Sequence, residues 1–318
     1  MIEKRRLGSA GPMLTTVGFG AWAAGGPWKF GWGPQDDSES VAAIRRAIEL
    51  GVNWIDTAAV YGWGHSEEVV SRALEDIRAD EVFVATKCGR VKGEGDAPVG
   101  DLRPGSIRAQ LEESLQRLRM DHVDLFQFHW PDTTTGTPVE ESWAEMTRLQ
   151  DEGKARWIGV SNFDVPLMER CERIRHIDSL QPPYSLLRRE VEGEILPWCR
   201  RNGTGVICYS PMQAGLLTGA FDVNRLAPDD WRRNAPWFQE PQLSRNLRFV
   251  EALRPIAARY GKTVGQLAVA WVLANPAVTA AIVGARRPSQ VEANVGAVGW
   301  ALDDAIVAEI GAAYADTA

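Results

Sequence analysis

The chain has 318 residues, of which 45% are hydrophobic and 24% charged, and its formal net charge is −7. This composition is typical of a globular protein, and the length suits one α/β barrel with elaborated loops. The acidic balance argues against nucleic acid or an anionic membrane surface as a partner, and no apolar stretch is long enough to span a bilayer.

Short apolar runs that resemble strands alternate with amphipathic helical stretches along the whole chain. Strands are predicted over residues 15–20, 52–55, 81–85, 123–128, 156–160, 179–180, 205–208 and 278–283. Helices are predicted over residues 38–50, 66–77, 106–119, 139–152, 166–175, 190–201, 245–260 and 288–297, with Ser38 and Ser66 as N-caps. This alternation predicts a single α/β domain over residues 1–318, a (β/α)8 TIM barrel.

Polar or glycine-rich groups follow the predicted strands one after another. They are Trp22, Asp56, Lys87, His129, Ser161, Asn162, Gln181, Tyr209, Ser210, Gly284, Ala285 and Arg286. In a barrel the carboxyl ends of all strands meet at one mouth, where barrel enzymes carry out their chemistry. Two unusually long connections, residues 23–37 and 212–243, are therefore expected to form binding loops at the C-terminal mouth.

The ends of two neighbouring predicted strands bring together an acid, a phenol and an amine, namely Asp56, Tyr61 and Lys87. A cation beside a phenol stabilises the phenolate and so lowers the pKa of the phenol, which is otherwise about 10. A carboxylate beside Lys87 would keep its ammonium group charged and fixed. We therefore predict that Lys87 lowers the pKa of Tyr61 and makes it a proton donor.

The cysteines give no sign of a metal or redox site. Cys88, Cys171, Cys199 and Cys208 have no C-x-x-C spacing and no flanking pairs of histidines, which favours reduced, inert thiols. Cys88 is the one candidate nucleophile among them, because it adjoins Lys87. No secretory signal is evident, and we predict a cytoplasmic protein without a metal.

Several motifs together resemble the aldo-keto reductase superfamily, and in style its prokaryotic general-reductase branch. They are the segment from Asp56 to Gly62, Lys87 at a strand end, His129 with Trp130, Ser161 with Asn162, Gln181, Tyr209 to Pro211, and Gly215 to Gly219. The resemblance runs from about residue 2 to residue 299. It implies a (β/α)8 barrel, a nicotinamide dinucleotide cofactor, and reversible reduction of an aldehyde, ketone or sugar carbonyl to the alcohol.

The resemblance also implies a role for each residue of the motifs. Tyr61 corresponds to the general acid, Lys87 and Asp56 to its partners, and His129 to the group that orients the substrate carbonyl. Implied cofactor contacts are Gly20, Ala21, Trp22, Ser161, Asn162, Gln181, Tyr209, Ser210, Pro211, Gly215, Leu216, Gly284, Arg286, Arg287, Gln290 and Asn294. The 212–243 loop is expected to cover the cofactor.

The segment after the last strand bears on the choice between cofactors. Arg286 and Arg287 offer cations for the extra phosphate of NADP(H), with no acid before Glu292, so we predict NADP(H) over NAD(H). Ala293 departs from the family, which often has an acid at that position, and one adenine contact is lost with it.

Five tryptophans near the predicted mouth suggest an aromatic substrate pocket: Trp22, Trp28, Trp32, Trp63 and Trp130. Such a pocket suits an apolar carbonyl compound or the face of a sugar ring. Two other functions stay open. The chain could be a cofactor-binding regulatory subunit of the same fold, or a barrel aldolase or isomerase in which Lys87 forms a Schiff base. The oligomeric state is not predicted.

Overall fold

The computed structural model describes residues 2–78 and 81–317, so residues 1, 79, 80 and 318 of the predicted domain lie outside the described part. The strands are β1 (Lys4–Arg6), β2 (Met13–Thr15), β3 (Val17–Gly20), β4 (Trp54–Asp56), β5 (Phe83–Cys88), β6 (Arg90–Lys92), β7 (Pro98–Gly100), β8 (Val123–Phe128), β9 (Ala155–Ser161), β10 (Ser179–Gln181), β11 (Gly205–Cys208) and β12 (Ala280–Gly284). The α-helices are α1 (Asp37–Glu49), α2 (His65–Ala73), α3 (Pro104–Leu118), α4 (Val139–Asp151), α5 (Val165–Glu172), α6 (Ile195–Asn202), α7 (Gln242–Ala258), α8 (Val264–Ala274), α9 (Pro288–Val295) and α10 (Asp304–Ala315).

Eight parallel strands close into a barrel in the order β3, β4, β5, β8, β9, β10, β11, β12, and β12 pairs back with β3. Each of these strands overlaps one of the eight predicted strands, so the predicted (β/α)8 barrel is confirmed. Most barrel strands are buried on both faces, which is why they appear in the sequence as continuous apolar runs.

The barrel interior is filled by large side chains, among them Trp54, Phe83, Leu125 and Ile207. Gly18 on β3 makes room for Trp54, because a Cβ atom at Gly18 would lie 2.0 Å from Cε2 of the indole. The indole Nε1 donates to the carbonyl oxygen of Thr15 at 2.8 Å. The packed interior leaves the chemistry of this fold to the barrel mouth.

The N-terminal end of the barrel is closed by an antiparallel hairpin of β1 and β2, which we did not predict. Leu7 and Leu14 of this segment pack against the barrel interior, and Arg5 donates to the carbonyl oxygens of Leu273 and Val278 at 2.8 and 3.0 Å. Each of these strands has only three residues, and β1 consists entirely of charged residues, so the hairpin lacks the alternation of apolar and polar residues that marks a strand in the sequence.

The predicted N-caps are wrong for two helices. Helix α1 is capped by Asp36, whose carboxylate accepts from the N–H of Ser38 at 2.7 Å and of Glu39 at 3.3 Å. Helix α2 begins after Gly64, and the Ser66 hydroxyl donates to the carbonyl oxygen of Ala21 at 2.8 Å instead. The Asp36 carboxylate thus caps α1 in place of the Ser38 hydroxyl. The Ser66 hydroxyl does not cap α2, because it is engaged in a tertiary contact.

Two helices are additional to the prediction, α8 and α10. Helix α8 is buried almost throughout, so it lacks the polar face that marks an amphipathic helix. Its start nevertheless carries a signal, because Thr263 and Gln266 form a capping box. The predicted helix over residues 190–201 is split into a 3₁₀ turn, Glu190–Glu192, and α6. No helix in the described ranges is both long and apolar enough to cross a membrane.

Candidate active site at the barrel mouth

The C-terminal ends of the barrel strands surround a cavity of about 610 Å³. Eighteen of the predicted site residues line it: Gly20, Trp22, Trp32, Asp56, Tyr61, His129, Trp130, Ser161, Asn162, Gln181, Tyr209, Ser210, Pro211, Gly215, Gly284, Arg286, Gln290 and Asn294. Residues far apart in the chain therefore share one site, because the strand ends and the loops and helix that follow them meet at the same mouth.

Six predicted site residues lie outside the cavity lining: Ala21, Trp28, Trp63, Lys87, Leu216 and Arg287. Ala21 and Leu216 are fully buried, whereas Arg287 is exposed. The Trp28 ring packs beside the Tyr61 ring at 6.1 Å, and the Trp63 ring stacks with the Lys92 ammonium at 5.8 Å. Trp28 and Trp63 thus contact these neighbours and do not belong to the lining of the cavity.

Lys87 joins the acid and the phenol behind the cavity wall. Its Nζ donates to Oδ2 of Asp56 at 2.7 Å, to the carbonyl oxygen of Thr57 at 2.8 Å and to the hydroxyl of Tyr61 at 3.4 Å. The three N–H bonds of the ammonium group are thus all used. Because Lys87 is buried and does not line the cavity, it is poorly placed to form a Schiff base with a bound carbonyl compound.

The predicted lowering of the pKa of Tyr61 is not found. Burial, followed by the charge of Asp56, holds the pKa of Tyr61 well above its ordinary value of 10.0. Lys87 does not lower the pKa of Tyr61 as predicted, because its ammonium group lies closer to the Asp56 carboxylate than to the phenol oxygen, and the negative charge of Asp56 offsets its positive charge. Burial also raises the pKa of Asp56 and lowers that of Lys87, and in each case the partner's charge opposes the shift.

His129 follows β8 and faces Tyr61, with ring centroids 5.6 Å apart and ring planes at 79°. Burial lowers the pKa of His129 well below 6.5, and the cations of Lys87 and Arg90 lower it further. The imidazole is therefore neutral near pH 7, with one ring nitrogen that donates and one that accepts.

A group of amide and hydroxyl side chains forms the wall beside His129. Ser161 Oγ donates to the carbonyl oxygen of Gln181 at 2.7 Å, and Asn162 Nδ2 donates to the carbonyl oxygen of His129 at 2.9 Å. The hydroxyl of Tyr209 donates to Oδ1 of Asn162 at 2.8 Å. The arrangement fixes the Tyr209 ring at the edge of the cavity, with the polar groups adjacent.

The mouth holds several non-glycine residues in the left-handed backbone region. Asn162 has φ 62°, Ser210 has φ 55°, and Gln213 and Ala214 have φ 45° and 50°. Such conformations are uncommon outside glycine and concentrate at functional sites, where the surrounding contacts maintain them. Here Asn162 is held by Tyr209 and by the His129 carbonyl.

The far end of the cavity is basic. Arg286 donates from Nε to Oε1 of Gln35 at 2.6 Å and from Nη2 to the carbonyl oxygen of Pro34, so the 23–37 loop is tied to the segment after β12. Burial and the neighbouring cations of Arg232 and Arg287 lower the pKa of Arg286. The mutual repulsion of these cations makes this end suited to an anion.

Aromatic rings cover the reactive end of the cavity. The Trp22 ring stacks on Tyr61 at 6.3 Å and on Trp231 at 5.8 Å, and Trp32 meets Trp22 edge-on at 6.2 Å. Trp231 belongs to the segment between β11 and α7, which folds into four 3₁₀ helices, Gln213–Thr218, Val223–Arg225, Trp231–Asn234 and Pro236–Phe238.

Several residues of the cavity wall were not predicted from the sequence. They include Arg188, Thr263, Gly265 and Gln266, whereas Met212, Gln213, Thr218, Trp231, Trp237 and Phe238 lie in the predicted 212–243 loop without having been named as individual contacts. The capping box of Thr263 and Gln266 marks a helix start and could have pointed to part of this wall. Arg188 carries no local signal, because only tertiary packing brings it to the cavity.

Other kinds of site find no support. Among residues 2–78 and 81–317, no three histidine, cysteine, aspartate or glutamate side chains are placed to hold a metal ion. The four cysteines are buried. Burial raises the pKa of the Cys88 thiol, so the candidate nucleophile is an inert, protonated side chain at neutral pH.

Comparison with known proteins gives consistent matches over the whole barrel. The profile of the Aldo/keto reductase family matches residues 16–315. Aldo-keto reductase YhdN of Bacillus subtilis (strain 168) is 37% identical over 305 residues, which is 95% of this chain and 90% of that protein. NADH-specific methylglyoxal reductase of Escherichia coli (strain K12) is 37% identical over 316 residues, covering 96% of both chains.

A solved structure agrees with the sequence matches. The structure of the glycerol dehydrogenase AKR11B4 from Gluconobacter oxydans superposes with a TM-score of 0.90 at 38% identity, over 99% of this chain and 95% of that one. The shared fold therefore includes the loops at the barrel mouth as well as the barrel. The chain belongs to the aldo/keto reductase family, and it is an oxidoreductase of the carbonyl-reducing type that works with a nicotinamide cofactor.

Proposed function

We propose that this protein is an NADP(H)-dependent reductase of small aldehydes, ketones or sugars in which Tyr61 is the general acid. One observation carries the proposal, namely that Asp56, Lys87 and the hydroxyl of Tyr61 form a continuous buried hydrogen-bonded set beside a neutral His129. The cavity wall includes Asp56, Tyr61 and His129, so a small carbonyl compound bound there meets the phenol and the imidazole directly.

The residues at the mouth fit a nicotinamide dinucleotide. Ser161, Asn162 and Gln181 supply the hydroxyl and amide groups that complement a carboxamide, and Tyr209 offers a ring for stacking. Arg286 lines the same cavity near the cations of Arg232 and Arg287, where a phosphate of the cofactor would be neutralised. When bound, the nicotinamide supplies a hydride to the carbonyl carbon.

Two residues of the chain bind and protonate the carbonyl oxygen of the substrate. His129 donates a hydrogen bond to that oxygen, and Tyr61 transfers its hydroxyl proton to it as negative charge develops. The raised pKa of Tyr61 still permits the transfer, because an alkoxide is a stronger base than a phenolate. The Lys87 ammonium group can donate a hydrogen bond to the oxygen that Tyr61 leaves deprotonated, and Asp56 keeps Lys87 in place.

The loop over residues 212–243 is proposed to cover the cofactor. Met212, Gln213, Gly215, Trp231 and Trp237 line the cavity from this loop. Arg232 lies over the Trp32 ring at 4.4 Å, which joins the loop to the other long connection. Together the two loops would enclose a bound dinucleotide from both sides.

The preference for NADP(H) rests on the cluster of Arg232, Arg286 and Arg287. One relative is named an NADH-specific methylglyoxal reductase, so the cofactor must be tested on this protein itself. The decisive experiment is a panel of carbonyl and alcohol substrates, run with NADPH and with NADH and monitored at the nicotinamide absorbance. Faster reduction with NADPH supports the proposal. Cofactor binding without turnover of any substrate would instead favour a regulatory subunit.

A further inference from the structure

Arg188 is a half-buried cation in the cavity wall that the proposed reaction does not use. It lies in the connection between β10 and α6, with its guanidinium carbon 5.3 Å from the centroid of the Trp237 ring. Its other contact is with the hydroxyl of Tyr209. Within the described ranges of the chain, Arg188 forms no ion pair with a carboxylate.

The other arginines nearby are occupied. Arg232 pairs with Asp230 at 2.6 Å, and Arg286 is bonded to Gln35. Arg189, the next residue in the chain, pairs with Glu192 at 2.8 Å, lies over the Trp271 ring at 5.1 Å and is absent from the cavity wall. Of these arginines, Arg188 and Arg286 both face the cavity without a carboxylate partner in the described part of the chain, but the Arg286 guanidinium group is bonded to Gln35 and to the carbonyl oxygen of Pro34.

A guanidinium group has five N–H donors in a planar fork. The Tyr209 hydroxyl and the Trp237 ring leave part of that fork free. A partly buried cation without a counter-ion attracts an anion, and the fork matches a carboxylate or phosphate group in a bidentate geometry. The stacking on Trp237 reduces the freedom of the side chain and so preorganises it for such a ligand.

Arg188 lies on the same wall of the cavity as the reactive groups, and a series of contacts connects it to them. Arg188 contacts the hydroxyl of Tyr209, this hydroxyl donates to Oδ1 of Asn162 at 2.8 Å, and Asn162 donates to the carbonyl oxygen of His129 at 2.9 Å. A substrate with its carbonyl group at Tyr61 and His129 can extend along this wall toward the guanidinium group.

We propose that Arg188 forms an anion subsite of this cavity and selects carbonyl substrates that carry a carboxylate or phosphate group. The inference rests on the proposed reductase function and adds a substrate class to it. The pyrophosphate of the cofactor is also an anion that Arg188 could bind, and the experiment distinguishes it from an anionic group of the substrate.

The test uses two ω-oxo carboxylates, 4-oxobutanoate and 7-oxoheptanoate, each beside its neutral methyl ester. The wild type is compared with Arg188→Gln and with the matched control Arg189→Gln. For at least one chain length the wild type should prefer the acid in kcat/KM, and Arg188→Gln should raise KM for that acid by about 10- to 100-fold. The ester should change by no more than about twofold, and Arg189→Gln should keep the wild-type preference.

Each contrary result has a distinct meaning. An unchanged ratio of acid to ester in Arg188→Gln overturns the subsite. A similar loss for acid and ester shows that Arg188 only packs against Trp237 and Tyr209, which also overturns it. Weaker binding of both NADPH and NADH, measured by fluorescence titration, assigns Arg188 to the cofactor pyrophosphate. Absence of turnover with all four compounds and with the general carbonyl panel overturns the reductase function and the subsite with it.

Discussion

Gln181 donates a hydrogen bond from Nε2 to Oδ1 of Asp56 at 2.8 Å, although the two residues are separated by 125 positions in the chain. Lys87 occupies the other oxygen of the same carboxylate. The amide group proposed to bind the carboxamide of the cofactor is therefore in direct contact with the acid that holds Lys87. The residues proposed for cofactor binding and those proposed for proton donation therefore share one buried hydrogen-bond network.

This contact predicts a double effect of Gln181→Leu. The variant removes an amide from the cavity wall and leaves Oδ1 of Asp56 without its donor. A hydrogen bond between two neutral amide groups contributes about 0.5–1.5 kcal/mol, so Kd should rise by about 2- to 13-fold for NADPH and for NADH alike. We expect kcat to fall as well, in single-turnover measurements at saturating cofactor. Normal kcat with weakened cofactor binding would show that the contact with Asp56 has no part in proton donation.

Tyr61→Phe tests the general acid. The ring keeps its packing against Trp22 and Trp28, and the hydroxyl is lost. Turnover should fall by about 100-fold or more, because general acid catalysis contributes about that much or more. NADPH binding, measured by fluorescence titration, should be retained. Turnover near that of the wild type would remove Tyr61 from the mechanism.

Lys87→Met tests the buried ion pair. The variant leaves the Asp56 carboxylate buried without its cation, which lowers the free energy of unfolding by about 3–5 kcal/mol. Adding Asp56→Asn removes the unpaired charge and should restore much of the stability without restoring turnover. Urea unfolding and steady-state kinetics of both variants check this. If Lys87→Met alone were as stable as the wild type, Asp56 would not carry a charge that needs Lys87 in the folded protein.

Arg286→Ala tests the choice of cofactor. Loss of a charge-assisted phosphate contact should raise Kd for NADPH by about 30- to 150-fold and leave Kd for NADH little changed. Gln35→Ala is the matched control, since it removes the Gln35 side-chain partner of Arg286 but keeps the charge of Arg286 and its contact with the carbonyl oxygen of Pro34. We expect that control to preserve the ratio of the two dissociation constants. Equal weakening of both cofactors in Arg286→Ala would make Arg286 a structural residue.

The low pKa of His129 predicts that the folded protein loses stability in acid. Its pKa in the folded protein lies well below 6.5, so the unfolded chain binds a proton there more readily than the folded one. The stabilisation that His129 provides is full above about pH 6.5 and is lost as the pH falls from there toward the folded pKa. The free energy of unfolding of the wild type should therefore fall relative to His129→Gln over that range. A constant difference between the two proteins would contradict the low pKa.

The sequence predicted the fold and the reactive set because both depend on local order along the chain. Eight apolar runs separated by helices can satisfy their backbone hydrogen bonds as a closed parallel barrel, and the residues at the strand ends then meet at one mouth. Asp56 and Ser161 end β4 and β9, and His129 follows β8 directly, so their convergence needed no knowledge of side-chain packing.

The tertiary structure alone decided the energetics and several contacts of the site. The pKa of Tyr61 depends on burial and on which neighbour balances Lys87 at closest range, and neither can be obtained from spacing in the chain. Arg286 meets Gln35, and Arg188 meets Trp237, through loops whose paths no periodic pattern describes. Periodicity determines secondary structure and strand order, whereas loop packing and desolvation depend on distances between residues remote in sequence.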